Sequence, residues 1–334
     1  MSSELKLFST CPESRTTHSA AYRHHVAEAA RWSEAAGFEG TLIYTENGLV
    51  DPWLVAQLVI EATDRLLPLV AVQPVYMHPY SVAKMVATFA HLYGRRTYLN
   101  MVAGGFRNDL AALGDELAHD TRYERLIEYT SIIKQLTGSS KPVTFTGSFY
   151  TTAELPLTPV VPPDCGPAFM ISGSSAAGVN AARQLGAIAV KYPQPASQEQ
   201  AVDAGAESGM RIGIVARQDR EDAWRTAYMR FPEDRAGQIA HHLAMQVSDS
   251  EWHDQLSALA YEAATEGNPY WLGPFKNYKT FCPYLVGSYD DVAQRLADYL
   301  QRGFRYFILD VPASEEELHH IGTAFRDAVS ISAR

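Results

Sequence analysis

Residues 168–186 read AFMISGSSAAGVNAARQLG. A short apolar run, Ala168 to Ser172, meets a turn of small residues, Gly173-Ser174-Ser175, and a helical pattern follows at once. Strand, tight turn and helix in that order make one βα unit. Whether the chain holds a few such units or a full ring of them decides its fold.

The same alternation recurs on the N-terminal side. Leu5–Phe8 reads as a first strand, and residues 20–36 as a helix with Tyr22, Val26, Ala29, Ala30 and Ser33 on one face. Gly37 is its natural stop. Thr41–Tyr44 is a second strand. Asp51-Pro52 starts a helix, with Asp as cap and Pro in the first turn, and Leu54, Val55, Leu58 and Val59 supply its expected buried stripe. Leu67–Val72 is a third strand. His78-Pro79 opens a helix with Val82, Met85, Val86 and Phe89 at core spacing, ending near Gly94. Thr97–Val102 is the fourth strand and residues 121–137 a helix. Residues 142–160 alternate and are rich in β-branched side chains, which predicts a hairpin.

On the C-terminal side, Ala187–Lys191 and Arg211–Val215 read as strands six and seven. A helical insertion is expected over 218–265, then an aromatic, turn-rich loop over 266–284. A helix over 288–302, an eighth strand at Arg305–Asp310 and a helix over 314–329 complete the chain. Eight strands in βα alternation predict an α/β fold of the TIM (β/α)8 barrel type with insertions, one domain spanning residues 1–334. The alternative is an open doubly wound sheet. The count of eight, and the lack of a G-x-G-x-x-G after strand one, favour the barrel.

Composition bounds the function. Of 334 residues, 20% are charged and 46% hydrophobic, which suits a globular protein that buries a large core. A net charge of −10 argues against a binder of nucleic-acid backbone but leaves room for a local basic pocket. Cys11, Cys165 and Cys282 are far apart, without metal-ligand spacing, and their odd number suits a reducing compartment. The start, MSSELKLFST, has no long apolar run, so neither a signal peptide nor a membrane span is expected and a cytoplasmic location is. The pairs His24-His25, His241-His242 and His319-His320 read as surface residues, because helix neighbours point about 100° apart. Glu315–Glu317 reads as a charge cluster at a helix start.

In a (β/α)8 barrel the chemistry gathers where strands end. Ser172 to Ser175 lie between a strand end and a helix start, where backbone N–H groups, hydroxyls and the helix dipole favour an anion. A phosphate fits; a helix capped by serine with no ligand fits equally well on the local pattern. Met101-Val-Ala-Gly-Gly-Phe106 is a second strand end, whose glycines either let a flat ligand approach or simply turn the chain. His119 and Tyr123 are four apart and share a helix face. Cys11, Tyr44, Glu46, Gln73, Tyr192 and Arg211 stand at further strand ends. Arg211 offers a permanent positive charge for an anion or for a buried ion pair, and Glu46 is either a base or a solvated turn residue. Cys11 reads as a packed, unreactive thiol.

Five stretches in order, Gly37–Ile43, Asp51–Val55, Leu99–Gly105, His119–Glu124 and Gly173–Ser175, resemble the bacterial luciferase-like flavin monooxygenases, nearest to the alkanesulfonate monooxygenase branch. The likeness spans about residues 4 to 330. It implies a barrel that takes reduced FMN (FMNH2) from a separate NAD(P)H:flavin reductase, adds O2 to form a peroxyflavin, and oxygenates a small organic substrate, with a homodimer as the usual assembly. Carried over, His119, Tyr123, Gly173, Ser174 and Ser175 hold the FMN phosphate, while Asn100, Ala103 and Gly104 lie beside the flavin ring. The catalytic candidates are Arg211, Glu46 and Tyr44.

The sulfonate branch's pocket groups match less well. Its Arg on strand seven falls on Arg211, but the His two residues on falls on Gly213. Its pocket Cys falls on Leu49 and its late Tyr on Val311; Tyr278 and Lys279 are nearest to its loop Arg. The aromatic loop 266–284 is either a lid over the flavin or a packed segment. Two other functions stay open: hydride transfer with the deazaflavin F420, and a non-catalytic flavin-binding barrel.

Overall fold

The computed structural model describes residues 4–15, 18–104, 106–247, 256, 257, 259 and 268–334. In chain order it begins with β1 (Lys6–Thr10), α1 (Ser19–Ala35), β2 (Gly40–Ile43), α2 (Pro52–Ala62), β3 (Leu67–Val72), α3 (Pro79–Tyr93) and β4 (Tyr98–Met101). A short α4 (Arg107–Ala112), the long α5 (His119–Gly138) and a hairpin of β5 (Val143–Thr146) and β6 (Thr151–Leu155) follow. Then come β7 (Ala168–Ser172), α6 (Ala176–Leu185), β8 (Ile188–Lys191) and β9 (Ser208–Arg217). The excursion after β9 contains α7 (Arg220–Arg230), α8 (Arg235–Val247), β10 (Tyr270–Trp271) and α9 (Gly273–Lys276). The chain ends with β11 (Tyr284–Ser288), α10 (Tyr289–Gln301), β12 (Tyr306–Leu309) and α11 (Glu315–Ser332).

Strands β1, β2, β3, β4, β7, β8, β9 and β12 pair in parallel, each with the next, and β12 returns to β1 through Lys6↔Tyr306 and Phe8↔Ile308. The ring is closed, so the open-sheet alternative is excluded. Side chains alternate across each strand. One set, including Phe8, Leu42, Leu69, Tyr98, Met170, Ile188 and Ile308, meets inside the barrel. The other set meets the helices and forms the larger outer core. On β9 the outward residues Met210, Ile212 and Ile214 join that outer core, which leaves Gly209, Arg211 and Gly213 on the inward side.

Local chemistry sets the helix ends as expected. Asp51 accepts from the Trp53 and Leu54 amides at 2.9 and 3.3 Å with Pro52 in the first turn, and Gly94 ends α3 at φ 57°. Two details differ from the sequence expectation. Leu54 is 67% exposed, because Trp53, Val55, Ala56, Val59 and Ile60 bury the inner face of α2 instead. Met85 is 39% exposed on the outside of α3.

Larger differences lie after β9. The stretch expected as loop and helix start contains β11, which pairs in parallel with β9 from Tyr284↔Gly213 to Ser288↔Arg217. In sheet order β11 flanks β9 on the side away from β12. The far part of the expected helical insertion lies largely outside the described residues. His241 is buried, not a surface residue: its ring packs on Phe275 at 4.6 Å. The other histidine pairs divide, with His24 and His25 exposed and His320 half-buried against Tyr289. Glu317 leaves the acidic helix start to bind Arg217 at 2.7 Å while only 5% exposed. Among the described residues no helix is long and apolar enough to cross a membrane, and no group of His, Cys, Asp or Glu could hold a metal ion.

The start of α10 supplies a measurable contribution. Ser288 and Asp291 form a reciprocal capping box, and Arg220 adds a charge-assisted bond to the same carboxylate. Arg220, the Ser288 hydroxyl and the Ser288 amide hold the Asp291 pKa below its ordinary value, at about 2. Its stabilisation is therefore complete above the unfolded carboxylate's titration, at roughly pH 4, and is lost as pH falls toward 2. Asp291→Asn is expected to lower unfolding stability by about 1 kcal/mol at neutral pH. Urea titrations of both proteins should converge as pH falls to about 2, where the native carboxyl takes up its proton.

Candidate active site

The carboxyl ends of the barrel strands surround one cavity of about 1350 Å³, its open mouth included. The eleven catalytic and flavin-binding candidates all line it: Arg211, Glu46, Tyr44, Asn100, Ala103, Gly104, His119, Tyr123, Gly173, Ser174 and Ser175. Gln73 and Tyr192 line it too. Cys11 does not; it is buried behind the wall, where desolvation pushes its thiol up to about 12. Gly105 lies outside the described residues.

One end of the cavity is the turn between β7 and α6. Ser175 caps α6, its hydroxyl accepting from the Gly178 amide at 3.2 Å, so the plain capping role holds for this serine. Ser174 is different: its hydroxyl oxygen is buried, faces no hydrogen-bond partner, and belongs to the cavity wall. A buried hydroxyl without a partner costs free energy, so a polar ligand there would gain it back. Gly173 has φ 156°, and a Cβ on it would lie 2.3 Å from the Tyr123 hydroxyl. Tyr123 reaches across from α5 and packs edge-on against His119 at 5.2 Å. The result is a polar cradle at the N-terminus of a ten-residue helix. Such a cradle suits a phosphate.

Beside it, the Ser172 hydroxyl donates to the Asn100 side-chain oxygen at 2.7 Å and so ties β7 to β4. Gly104 takes φ 97°, and a Cβ there would meet Leu110 at 2.9 Å. Its carbonyl accepts from Arg122 at 3.3 Å, which fixes the turn after β4. Asn100, Val102, Ala103 and Gly104 thus line one wall of the cavity.

The other end is built around Arg211, inward on β9 and 8% exposed. Its guanidinium stacks over the Tyr44 ring at 4.8 Å, and Nη1 donates to the Tyr192 hydroxyl at 3.4 Å. Asp310 approaches Nη2 only to 3.9 Å. Nε and Nη2 find no hydrogen-bond partner. Burial holds the Tyr192 hydroxyl well above its ordinary pKa, so it stays a neutral donor or acceptor.

Glu46 lies on the rim, paired with Arg15 at 2.5 Å. Glu13, on the loop after β1, was not singled out in the sequence although it lines the cavity; burial pushes its carboxyl upward. Its place one turn past a strand end was the available signal. The aromatic segment is mostly packing: Tyr270, Phe275 and Tyr284 are buried, and Phe281 alone among its aromatic residues lines the cavity, near Phe106 at 6.3 Å. Leu49 lines a neighbouring cleft, and Lys279 pairs with Asp234.

A closed (β/α)8 barrel with a polar turn, a glycine-bearing wall and a buried arginine around a cavity at its carboxyl rim has the form of a barrel enzyme. The chain belongs to the luciferase-like monooxygenase family, whose model matches residues 4–306, and it is therefore a flavin-dependent monooxygenase by family. It is 32% identical over 306 residues to the 4-(gamma-L-glutamylamino)butanoyl-[BtrI acyl-carrier protein] monooxygenase BtrO of Niallia circulans, covering 90% of this chain and 89% of that protein. Among solved structures, DmoA from Hyphomicrobium sulfonivorans superposes with a TM-score of 0.77 at 17% identity, over 97% of this chain and 88% of that one. An F420-dependent secondary alcohol dehydrogenase, with an F420-acetone adduct, superposes at 0.68 and 16% identity, over 98% and 99%. At such identities the two structures show the shared fold alone.

Proposed function

We propose that the protein is the oxygenase of a two-component system, using reduced FMN and O2 to oxygenate a small organic substrate. The observation that carries this is the cradle at Ser174: an unpartnered buried hydroxyl, a glycine closed by Tyr123, and a helix N-terminus, all at one end of the cavity at the carboxyl rim. Ser174, Ser175, Gly173, Tyr123 and His119 would hold the phosphate, and Asn100, Ala103 and Gly104 would lie along the ring. When bound, reduced FMN supplies the electrons that activate O2.

The chain's own residues do the rest. The phosphate cradle orients the cofactor by its tail. Apolar walls and Phe281 at the mouth restrict water. Arg211 supplies a fixed positive charge where negative charge gathers, with Tyr44 stacked on it and Tyr192 bonded to it. Glu46 is tied to Arg15 on the rim, which suits it to shaping the entrance. The 32% identity to an enzyme named for a butanoyl group on an acyl-carrier protein extends the substrate reading to acyl groups presented through the open mouth. The outward faces of α2 and α3, with Leu54 67% and Leu92 64% exposed, are the surfaces on which we place a homodimer contact. We place the enzyme in the cytoplasm, beside a flavin reductase.

The test is direct. Purified protein should bind reduced FMN, and should yield an oxygenated product from an acyl substrate panel only when a flavin reductase, NAD(P)H and O2 are all present. Binding of F420 in preference to FMN, with hydride transfer and no O2 uptake, would replace this function with the deazaflavin one.

A further inference from the structure

The position where the sulfonate branch carries a pocket histidine is filled here in another way. Gly213 sits opposite Tyr284 of β11 in register, and a Cβ on it would lie 2.2 Å from two atoms of the Tyr284 ring. The missing side chain on β9 is thus replaced by a tyrosine from the neighbouring strand. Its ring is 0% exposed, packed edge-on against Phe231 at 4.9 Å and beneath Arg230 at 5.9 Å. From that fixed position its hydroxyl donates to Oδ2 of Asp310 at 2.7 Å.

Asp310 is the acid nearest to Arg211, yet its other oxygen stops 3.9 Å from Nη2, beyond hydrogen-bond range. An arginine and an aspartate so close and so buried would ordinarily close into a short charge-assisted pair. Here the tyrosine engages the carboxylate first. Asp310 offsets part of the Arg211 charge at a distance without occupying its donors. Nε and Nη2 therefore remain unpartnered, and are themselves buried, on a side chain that is nine-tenths buried in the cavity wall. Two parallel N–H groups on one guanidinium edge match the two oxygens of a carboxylate.

We propose that Tyr284, admitted by Gly213, restrains Asp310 and so leaves the buried Nε–Nη2 edge of Arg211 unpaired, to be taken by a carboxylate on the substrate. Tyr284 and Asp310 are positioning residues, and Arg211 is the binding residue. The inference rests on the flavin-oxygenase reading for its choice of the non-cradle end as the substrate end. It names the substrate class: a molecule carrying a carboxylate at the end that enters the barrel deepest.

Butanoate and its neutral isostere butanamide are the probes, measured by ligand-observed NMR on the FMN-loaded protein. The wild type should hold butanoate about tenfold more tightly than butanamide, the effect of one charge-assisted contact. Arg211→Gln should remove the preference. Tyr284→Phe should bring it to within about twofold, because the released carboxylate closes onto Arg211. Tyr284→Phe with Asp310→Asn should restore it, since the amide cannot neutralise the guanidinium. A merely structural role for Tyr284 would not produce that rescue.

Equal binding of the two probes by the wild type, an undiminished preference in Tyr284→Phe, or no rescue in the double variant each overturns the proposal. Should Tyr284→Phe lose FMN binding through misfolding, Asp310→Asn alone decides: the preference is expected to persist, and parity overturns it. The reduced flavin ring is the other source of an anion. Tighter binding of reduced than oxidised FMN that vanishes in Arg211→Gln, together with no butanoate preference, assigns Arg211 to the cofactor and overturns the substrate assignment. Failure of the wild type to bind FMN in any state sinks the oxygenase reading separately, since the probe comparison can be made without flavin.

Discussion

Gly173→Ala is expected to abolish the distinction between FMN and riboflavin. In the wild type the phosphate cradle should make FMN bind about a hundredfold more tightly than riboflavin, the effect of one or two charge-assisted bonds at a helix N-terminus. The added methyl has no space: its carbon would stand 2.3 Å from the Tyr123 hydroxyl and the backbone there has φ 156°. Tyr123 would be driven off, and with it the edge contact to His119. Fluorescence titration of both flavins reads the result. Ser174→Ala gives the milder counterpart, about a tenfold loss for FMN and none for riboflavin, because it removes only the unpartnered hydroxyl. If Gly173→Ala folds normally and still prefers FMN by a hundredfold, the phosphate lies elsewhere.

The second large effect is on stability. Gly213→His would restore the side chain of the sulfonate branch, and it should unfold the barrel's upper rim rather than recover an activity. A Cβ at 213 lies 2.2 Å from the Tyr284 ring, and that ring cannot retreat because Phe231 and Arg230 pack behind it. Overpacking of this kind costs about 3 kcal/mol. Thermal unfolding should show the loss in Gly213→Ala as well, since the first carbon already collides. Pairing Gly213→Ala with Tyr284→Ala should recover part of it, with a cavity in place of the ring. Full additivity of the two losses would show that the positions do not exchange space.

The barrel was legible because each βα unit announces itself. Val72, Met170 and Val190 sit in short apolar runs, and Asp51, Gly94 and Ser175 mark helix ends with chemistry that acts locally. The cavity residues were legible for the same reason, since strand ends converge on one rim whatever their spacing in sequence. What could not be read was the pairing of β11. Its five residues follow an aromatic turn and run straight into a helix cap, so no periodicity separates them from either. Gly213 consequently looked like a lost group, when in space it is the complement of Tyr284. Burial of His241 was equally hidden, because its partner Phe275 belongs to another segment. Glu13 went unremarked because a single acid after a strand carries no pattern of its own.

Strand β9 carries β11 along its last five residues, beyond its ring partners β8 and β12, so the long excursion between it and β11 departs from and comes home to one and the same strand. Its two ends are stitched together by five register pairs, whatever happens at its tip. Evolution and the protein engineer can accordingly lengthen, shorten or exchange that tip while the catalytic vessel beneath keeps its shape. The excursion is a natural cassette for retargeting the entrance, and chimaeras cut at Arg217 and Tyr284 are the place to begin.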